Sequence, residues 1–263
     1  MPGFTLVDRI FPAGAAPPAF VPDATLINIL NIPSLVSYIR PSITPAYVTG
    51  DTAAGFRLRE LAFGIEGVAA LSNRPVSSLI NGRPALSFGC DGTGVTSGTN
   101  GSVLMADTPL LDSSERTIAF VAELLPSAAG VILGNAITTN YWSLSVDSSG
   151  RLSVIPQNSS GFIIRSPAGY RGQRIVVVSS YRASDGAATL RINGSVVGTA
   201  TSATAILNSR LRMGGAGLPG STTGTGIDIR IGDLALFNKD LTVASRAVQL
   251  ATVENYLRLQ AGV

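Results

Sequence analysis

Short apolar and β-branched runs, cut at roughly ten-residue intervals by turn residues, leave this chain little room for any fold but one of many strands. The runs fall at 35–39 (LVSYI), 85–88 (ALSF), 117–125 (TIAFVAELL), 130–134 (GVILG), 141–146 (YWSLSV) and 151–155 (RLSVI). They continue at 162–166 (FIIRS), 174–181 (RIVVVSSY), 188–192 (ATLRI), 195–200 (SVVGTA), 210–215 (RLRMGG) and 227–237 (IDIRIGDLALF). Three connections are hairpin signals: DSSG before 151, Asp185 followed by Gly186, and Asn193 followed by Gly194. Such dipeptides reach the positive-φ turns that suit antiparallel strands. In the last run Ile227, Ile229 and Ile231 alternate with Asp228, Arg230 and Gly232, which predicts one buried and one wet face. The pattern predicts an all-β, two-sheet antiparallel sandwich.

The two ends of the chain read differently. Val243, Ala247, Leu250, Val253 and Leu257 recur at helical spacing, so one short C-terminal helix is expected on the sandwich edge. Thr242 stands where an N-cap would, and Gly262 where the helix would end. At the other end Pro12, Pro17, Pro18 and Pro22 favour extended backbone. Residues 1–33 therefore read as an extended arm or linker ahead of a sandwich domain at 34–263. Phe4, Leu6, Val7, Ile10, Phe11 and Phe20 make that arm too apolar for a solvated tail. It packs back on its own domain or adds to a partner chain.

Composition removes whole classes of chemistry. The chain has no histidine, so imidazole-based triads and most imidazole metal sites are excluded. Its one cysteine, Cys90, excludes an intrachain disulfide and reads as a small buried hydrophobe. Lys239 is the one lysine and sits in a turn motif, a poor place for an activated amine. The net charge of +3 is small, and the arginines are scattered rather than gathered in a stripe, so nucleic acid is not an expected partner. No run reaches the ~18 apolar residues of a membrane span, and the first twenty residues lack the charged and apolar regions of a signal peptide. The five glutamates, Glu60, Glu66, Glu115, Glu123 and Glu254, form no acidic strand and read as solvated surface groups. The Gly-rich stretches 89–101 and 214–226 lack the strand–loop–helix setting and the Gly-Lys-Ser/Thr of a phosphate loop.

Five stretches, in order, resemble the concanavalin-A-like lectin/glucanase superfamily in its laminin-G-like, bacterial and bacteriophage branch. They are GRPALSF (82–88), RTIAFVAEL (116–124), RIVVVSSYRASDGAATLRINGSVVGTA (174–200), LRMGGAG (211–217) and IRIGDLALFNKDLTVASRAVQLATVENYL (229–257). The resemblance implies a jelly-roll sandwich. In the closing motif Gly232 permits close approach, Asn238 and Asp240 suit a turn, and Leu241 can anchor the helix.

Laminin-G-like domains hold Ca²⁺ or sugars at the sandwich rim, so the resemblance also implies where to look for a site. Asp91, Asn100 and Asp107 lie in or beside one Gly-rich loop; Asp91 and Asp107 are weak Ca²⁺ candidates, with turn formation the alternative reading. No other cofactor is expected. Tyr141 and Trp142 are candidates to stack on a sugar, although a strand tryptophan equally suits a core. The expectation is a non-enzymatic structural or interaction protein. The resemblance points to a bacteriophage virion component (head decoration, fibre or tail-associated subunit) made in the host cytoplasm without a signal peptide. It would attach through arm residues Phe4, Leu6, Ile10, Phe11 and Phe20 to other virion proteins, or to itself as a dimer or trimer. The alternative is a carbohydrate-binding module for host or surface-glycan attachment. Neither nucleic acid nor membrane is an expected partner.

Overall fold

The computed structural model describes residues 24–41, 56–59, 66–69, 75–88, 103–105, 114–135, 142–156, 164–201, 211–214 and 227–263. The arm residues Phe4, Leu6, Ile10, Phe11 and Phe20, together with Cys90, lie outside them. In chain order the elements are α1 (Ala24–Leu30), β1 (Leu35–Ile39), β2 (Phe56–Arg59), β3 (Glu66–Ala69), β4 (Val76–Ile80) and β5 (Arg83–Phe88). There follow β6 (Val103–Met105), β7 (Glu115–Leu124), β8 (Gly130–Asn135), β9 (Trp142–Val146), β10 (Arg151–Pro156) and β11 (Ile164–Gly169). The chain continues through β12 (Arg174–Arg182), β13 (Ala187–Ile192), β14 (Ser195–Thr201), β15 (Leu211–Met213) and β16 (Ile229–Phe237) to α2 (Ala247–Ala261).

The strands form two eight-stranded antiparallel sheets. Sheet I runs β14-β13-β12-β7-β16-β5-β4, with β1 also paired to β16; sheet II runs β11-β10-β9-β8-β15-β6-β3-β2. The expected all-β sandwich is present, and every run read from the sequence contains a strand. The hairpin at 80–83 was equally legible: Asn81 and Gly82 have φ of 50° and 71°, matching 50° and 84° at Asn193 and Gly194.

The hydrophobic interior has two layers. Between the sheets lie large side chains: Phe88, Phe120, Trp142, Leu144, Leu152 and Leu190. On the far side of sheet I, Ala119, Val121, Val176, Val178 and Ala235 meet Leu26 and Ile29 of α1 and Leu250, Val253, Tyr256 and Leu257 of α2. The period of two places Ile118, Phe120, Ala122 and Leu124 of β7 on one face, and Ala119 and Val121 on the other. Small residues on the helix side let the helices lie close to the sheet.

That second layer corrects four expectations. Helix α2 packs on the open face of sheet I, against β7, β12 and β16, and not on the sandwich edge. Strand β16 consequently has no wet face: Asp228 is buried, and only Arg230 is partly exposed. Residues 24–30 of the expected arm are a helix with Leu26 and Ile29 fully buried, so this stretch belongs to the domain. Thr242 is not the N-cap, because a 3-10 turn (Ala244–Arg246) leads into α2 and its cap position, Val243, has no side-chain hydrogen bond. Thr242 instead donates from its backbone N–H and its hydroxyl to Asp240 Oδ1, at 2.9 and 2.6 Å. The end at Gly262 is as expected, with left-handed φ of 72° and its N–H on the Arg258 carbonyl.

At one edge the sheets close on each other. Gly198 of β14 faces Ile164 of β11, and a Cβ at Gly198 would stand 2.4 Å from Ile164 Cγ2. Two stability measurements follow. Gly198→Val should lower stability by about 1–3 kcal/mol in denaturant titration through overpacking, and an unchanged midpoint would contradict the close approach. Leu257→Ala should cost about 2–5 kcal/mol, since it opens a cavity beneath α2; a loss below half a unit, on the order expected of an exposed residue, would mean that the helix does not seal the sheet.

Candidate functional site

Of the four sheet faces, two meet in the core and a third is under α1 and α2. The fourth, the outer face of sheet II, carries no helix among the described residues. Its composition follows from strand alternation. In β9 Trp142, Leu144 and Val146 point inward, so Ser143 and Ser145 point out; in β10 Leu152 and Val154 point inward, so Arg151 and Ser153 point out. Registered neighbours share a face: Ser145 lies opposite Ser153, Ser153 opposite Arg165, Ser143 opposite Gly134, and Gly134 opposite Arg212. The result is a row of serines, largely buried at Ser143 and Ser153, with Val131 registered opposite Ser145 and arginines at Arg151, Arg165 and Arg212.

Within this row Ser153 is only 3% exposed, and its hydroxyl has no hydrogen-bond partner. Leaving a buried hydroxyl unpaired costs on the order of 1–3 kcal/mol. Arg165 is 52% exposed and reaches Asp147 Oδ2 at 3.4 Å; Arg151 is exposed as well. Asp147 also caps its own turn, accepting the N–H groups of Arg151 and Ser149, and these bonds hold its carboxyl below the ordinary range. Arg212 is largely buried, which lowers the pKa of its guanidinium.

A second polar constellation lies at the sandwich end where β7 and β9 begin and β12 finishes. Arg116 is buried with its guanidinium 5.4 Å from the Trp142 ring centre and 5.5 Å from that of Tyr181, a cation held between two π faces. Outside it runs an ionic belt. Glu115 Oε2 accepts the Asp240 N–H at 3.0 Å and Arg246 at 2.8 Å, while Arg182 bridges Asp240 and Asp185. Burial alone would raise the Glu115 carboxyl, but these donors outweigh it and hold the group below its usual value. The Arg182 hydrogen bond pulls Asp185 down to about 2.

The third constellation is a bulge. Between Ile231 and Leu234 strand β16 carries an extra residue relative to β7. Gly232 sits there because a Cβ would press on Val121 Cβ at 3.2 Å. The bulge turns Asp233 toward β1: Tyr38 Oη donates to Asp233 Oδ2 at 2.6 Å, Arg40 donates at 2.9 Å, and Arg40 also donates to Tyr256 of α2. Burial, reinforced by the Asp233 charge, pushes the Tyr38 phenol well above its usual pKa.

The residues expected at a site fare unevenly. Asp91, Asn100, Asp107 and Tyr141 lie outside the described residues. Trp142 is a core residue, 2% exposed and covered by Arg116, so stacking on a sugar is not its role. Three of the glutamates are engaged rather than merely solvated: Glu115 with Arg246, Glu123 with Arg230 at 2.8 Å, and Glu254 with Arg191 at 2.7 Å. Sequence reasoning missed the serine–arginine face, although the alternation in WSLSV and RLSV carries it.

No family model matches the sequence, and no curated protein matches it. Solved structures do. Trypanosoma rangeli sialidase in complex with sialic acid has a TM-score of 0.56 at 12% identity, over 85% of this chain and 33% of that one. The binding domain of botulinum neurotoxin DC in complex with SialylT has a TM-score of 0.56 at 16% identity, over 87% of this chain and 52% of that one. This chain thus spans about a third of the one and about half of the other. At such identities the likeness shows the fold. It also overturns the expectation of a non-enzymatic protein, because an enzyme is among the chains that share the fold. The argument from missing histidine and unclustered glutamate does not reach sialidases, whose nucleophile is a tyrosine.

The ionic belt makes a pH test. A carboxylate with a depressed folded pKa stabilises the fold fully above its unfolded value of about 4, and that contribution is lost as pH falls through the folded value, about 2 for Asp185. Asp185→Asn should therefore lower Tm at neutral pH, with the gap from the unaltered protein closing as the solution approaches pH ~2. A gap independent of pH would contradict the pairing with Arg182.

Proposed function

We propose that this chain is a glycan-binding module, a sandwich of the concanavalin-A-like, laminin-G-like kind that its motifs resemble. The observation that carries the reading is the fold shared, over 87% of this chain, with a toxin binding domain in complex with SialylT. The sialidase in complex with sialic acid shares the fold over 33% of its own length. The exposed guanidinium groups of Arg151 and Arg165 on the outer side of sheet II support it from within the molecule, since such donors suit polyhydroxylated ligands. A bacteriophage virion, with assembly through the part of the arm that precedes α1, is the setting that the family resemblance implies for such a module.

An immobilised glycan panel, run with and without Ca²⁺, tests the proposal. Selective retention of one or more oligosaccharides is the expected result. No glycan held above background in either condition would retire the reading.

A further inference from the structure

We infer that the N-terminal segment, residues 1–23, seats on the outer face of α2 in its own chain. The inference stands apart from the glycan-binding reading and concerns the free chain, before any assembly partner is met. The first observation is where exposed apolar surface lies. Among the described residues six large hydrophobic side chains are exposed, and four belong to the helix layer: Ile27 on α1, Val248 and Leu259 on α2, and Val263 just beyond it. Val248 at 82% and Leu259 at 70% are the two most exposed of the six. They stand eleven residues apart, about three helical turns, and so share one face. Ala251 and Asn255 are exposed between them, and Thr252 turns its hydroxyl back onto the Val248 carbonyl at 2.9 Å. Glu254 is buried against Arg191, which leaves Arg258 as the one exposed charge of α2. A helix facing water ordinarily carries charge along its outer side. This one carries a run of apolar surface instead.

The second observation is the segment itself. Residues 1–23 join the domain at Ala24, the first residue of α1, and α1 packs against α2. The segment therefore starts beside the face. Its residues, fully extended, reach up to about 75 Å, whereas α2 spans about 22 Å, so the segment can run the whole length of the helix. Its chemistry matches as well. Phe4, Leu6, Ile10, Phe11 and Phe20 bring apolar area, and its only charged side chains are Asp8, Arg9 and Asp23. Laying those apolar groups on Val248 and Leu259 removes both surfaces from water. Tethering decides the occupant. A segment tied to α1 meets this face at an effective concentration on the order of millimolar, well above that of a second copy in dilute solution.

A nitroxide carried at residue 15 by Ala15→Cys, with Cys90→Ser removing the other thiol, tests the inference on the full chain by NMR. Signal loss should concentrate in the amides of residues 248–259. It should vanish in the double variant Val248→Glu, Leu259→Glu, whose positions are exposed enough to keep the fold. Should that variant lose its helical circular dichroism, Phe4→Ser with Phe11→Ser should abolish the signal loss from the arm's side. Mixing spin-labelled chains with isotope-labelled chains that lack the nitroxide should leave the α2 signals intact. Signal loss in that mixture would give the face to a second copy and overturn the inference. So would loss confined to other elements, no loss anywhere, or loss that survives the substitutions in a folded variant. Glycan binding is read separately, so none of these results touches that reading.

Discussion

Three central strands of sheet I, β7, β12 and β16, are buried on both faces, and this double burial organises the molecule. A strand apolar on both sides needs a layer above and a layer below. Sheet II supplies one with large side chains such as Phe120 and Trp142 at the contact, and α1 with α2 supplies the other over alanine and valine. Taking either layer away would expose a continuous apolar sheet.

The helix layer is fastened by paired charges rather than by helix propensity. Arg191 grips Glu254 with two hydrogen bonds of 2.7 and 3.0 Å, Arg40 joins Asp233 to Tyr256, and Arg246 joins the approach to α2 to Glu115 at the foot of β7. Pairs that are partly buried are costly to break, because the orphaned charge stays in a poorly solvated place. Forked geometry also explains the choice of arginine: a lysine offers one point of charge where these sites use two donors.

Most of the fold was legible in the residues. Continuous apolar runs such as RIVVVSSY announced strands buried on both sides, and the Asn-Gly dipeptides announced their hairpins. The expectation of a wet face on 227–237 failed because alternation of isoleucine with Asp228 and Arg230 looks the same whether a helix covers the second face or water does. The position of α2 was illegible for a related reason: helical spacing gives the apolar stripe but not the surface that receives it. The short strands β2, β3 and β6 carry too few residues to show a period. At the candidate site the serines were visible in alternation, yet serine is common in strands. Only the register showed that Ser145, Ser153 and Arg165 stand side by side.

The layered construction seals the helix side of sheet I with apolar contacts and leaves Arg151 and Arg165 exposed on the opposite side of the molecule. Residue-resolved NMR of the full chain, followed as a sialylated oligosaccharide is added, tests that division most directly. The account predicts shifts concentrated in β9, β10 and β11, with α2 silent. Shifts concentrated in α2, or in the ionic belt around Asp185 and Asp240, would contradict it.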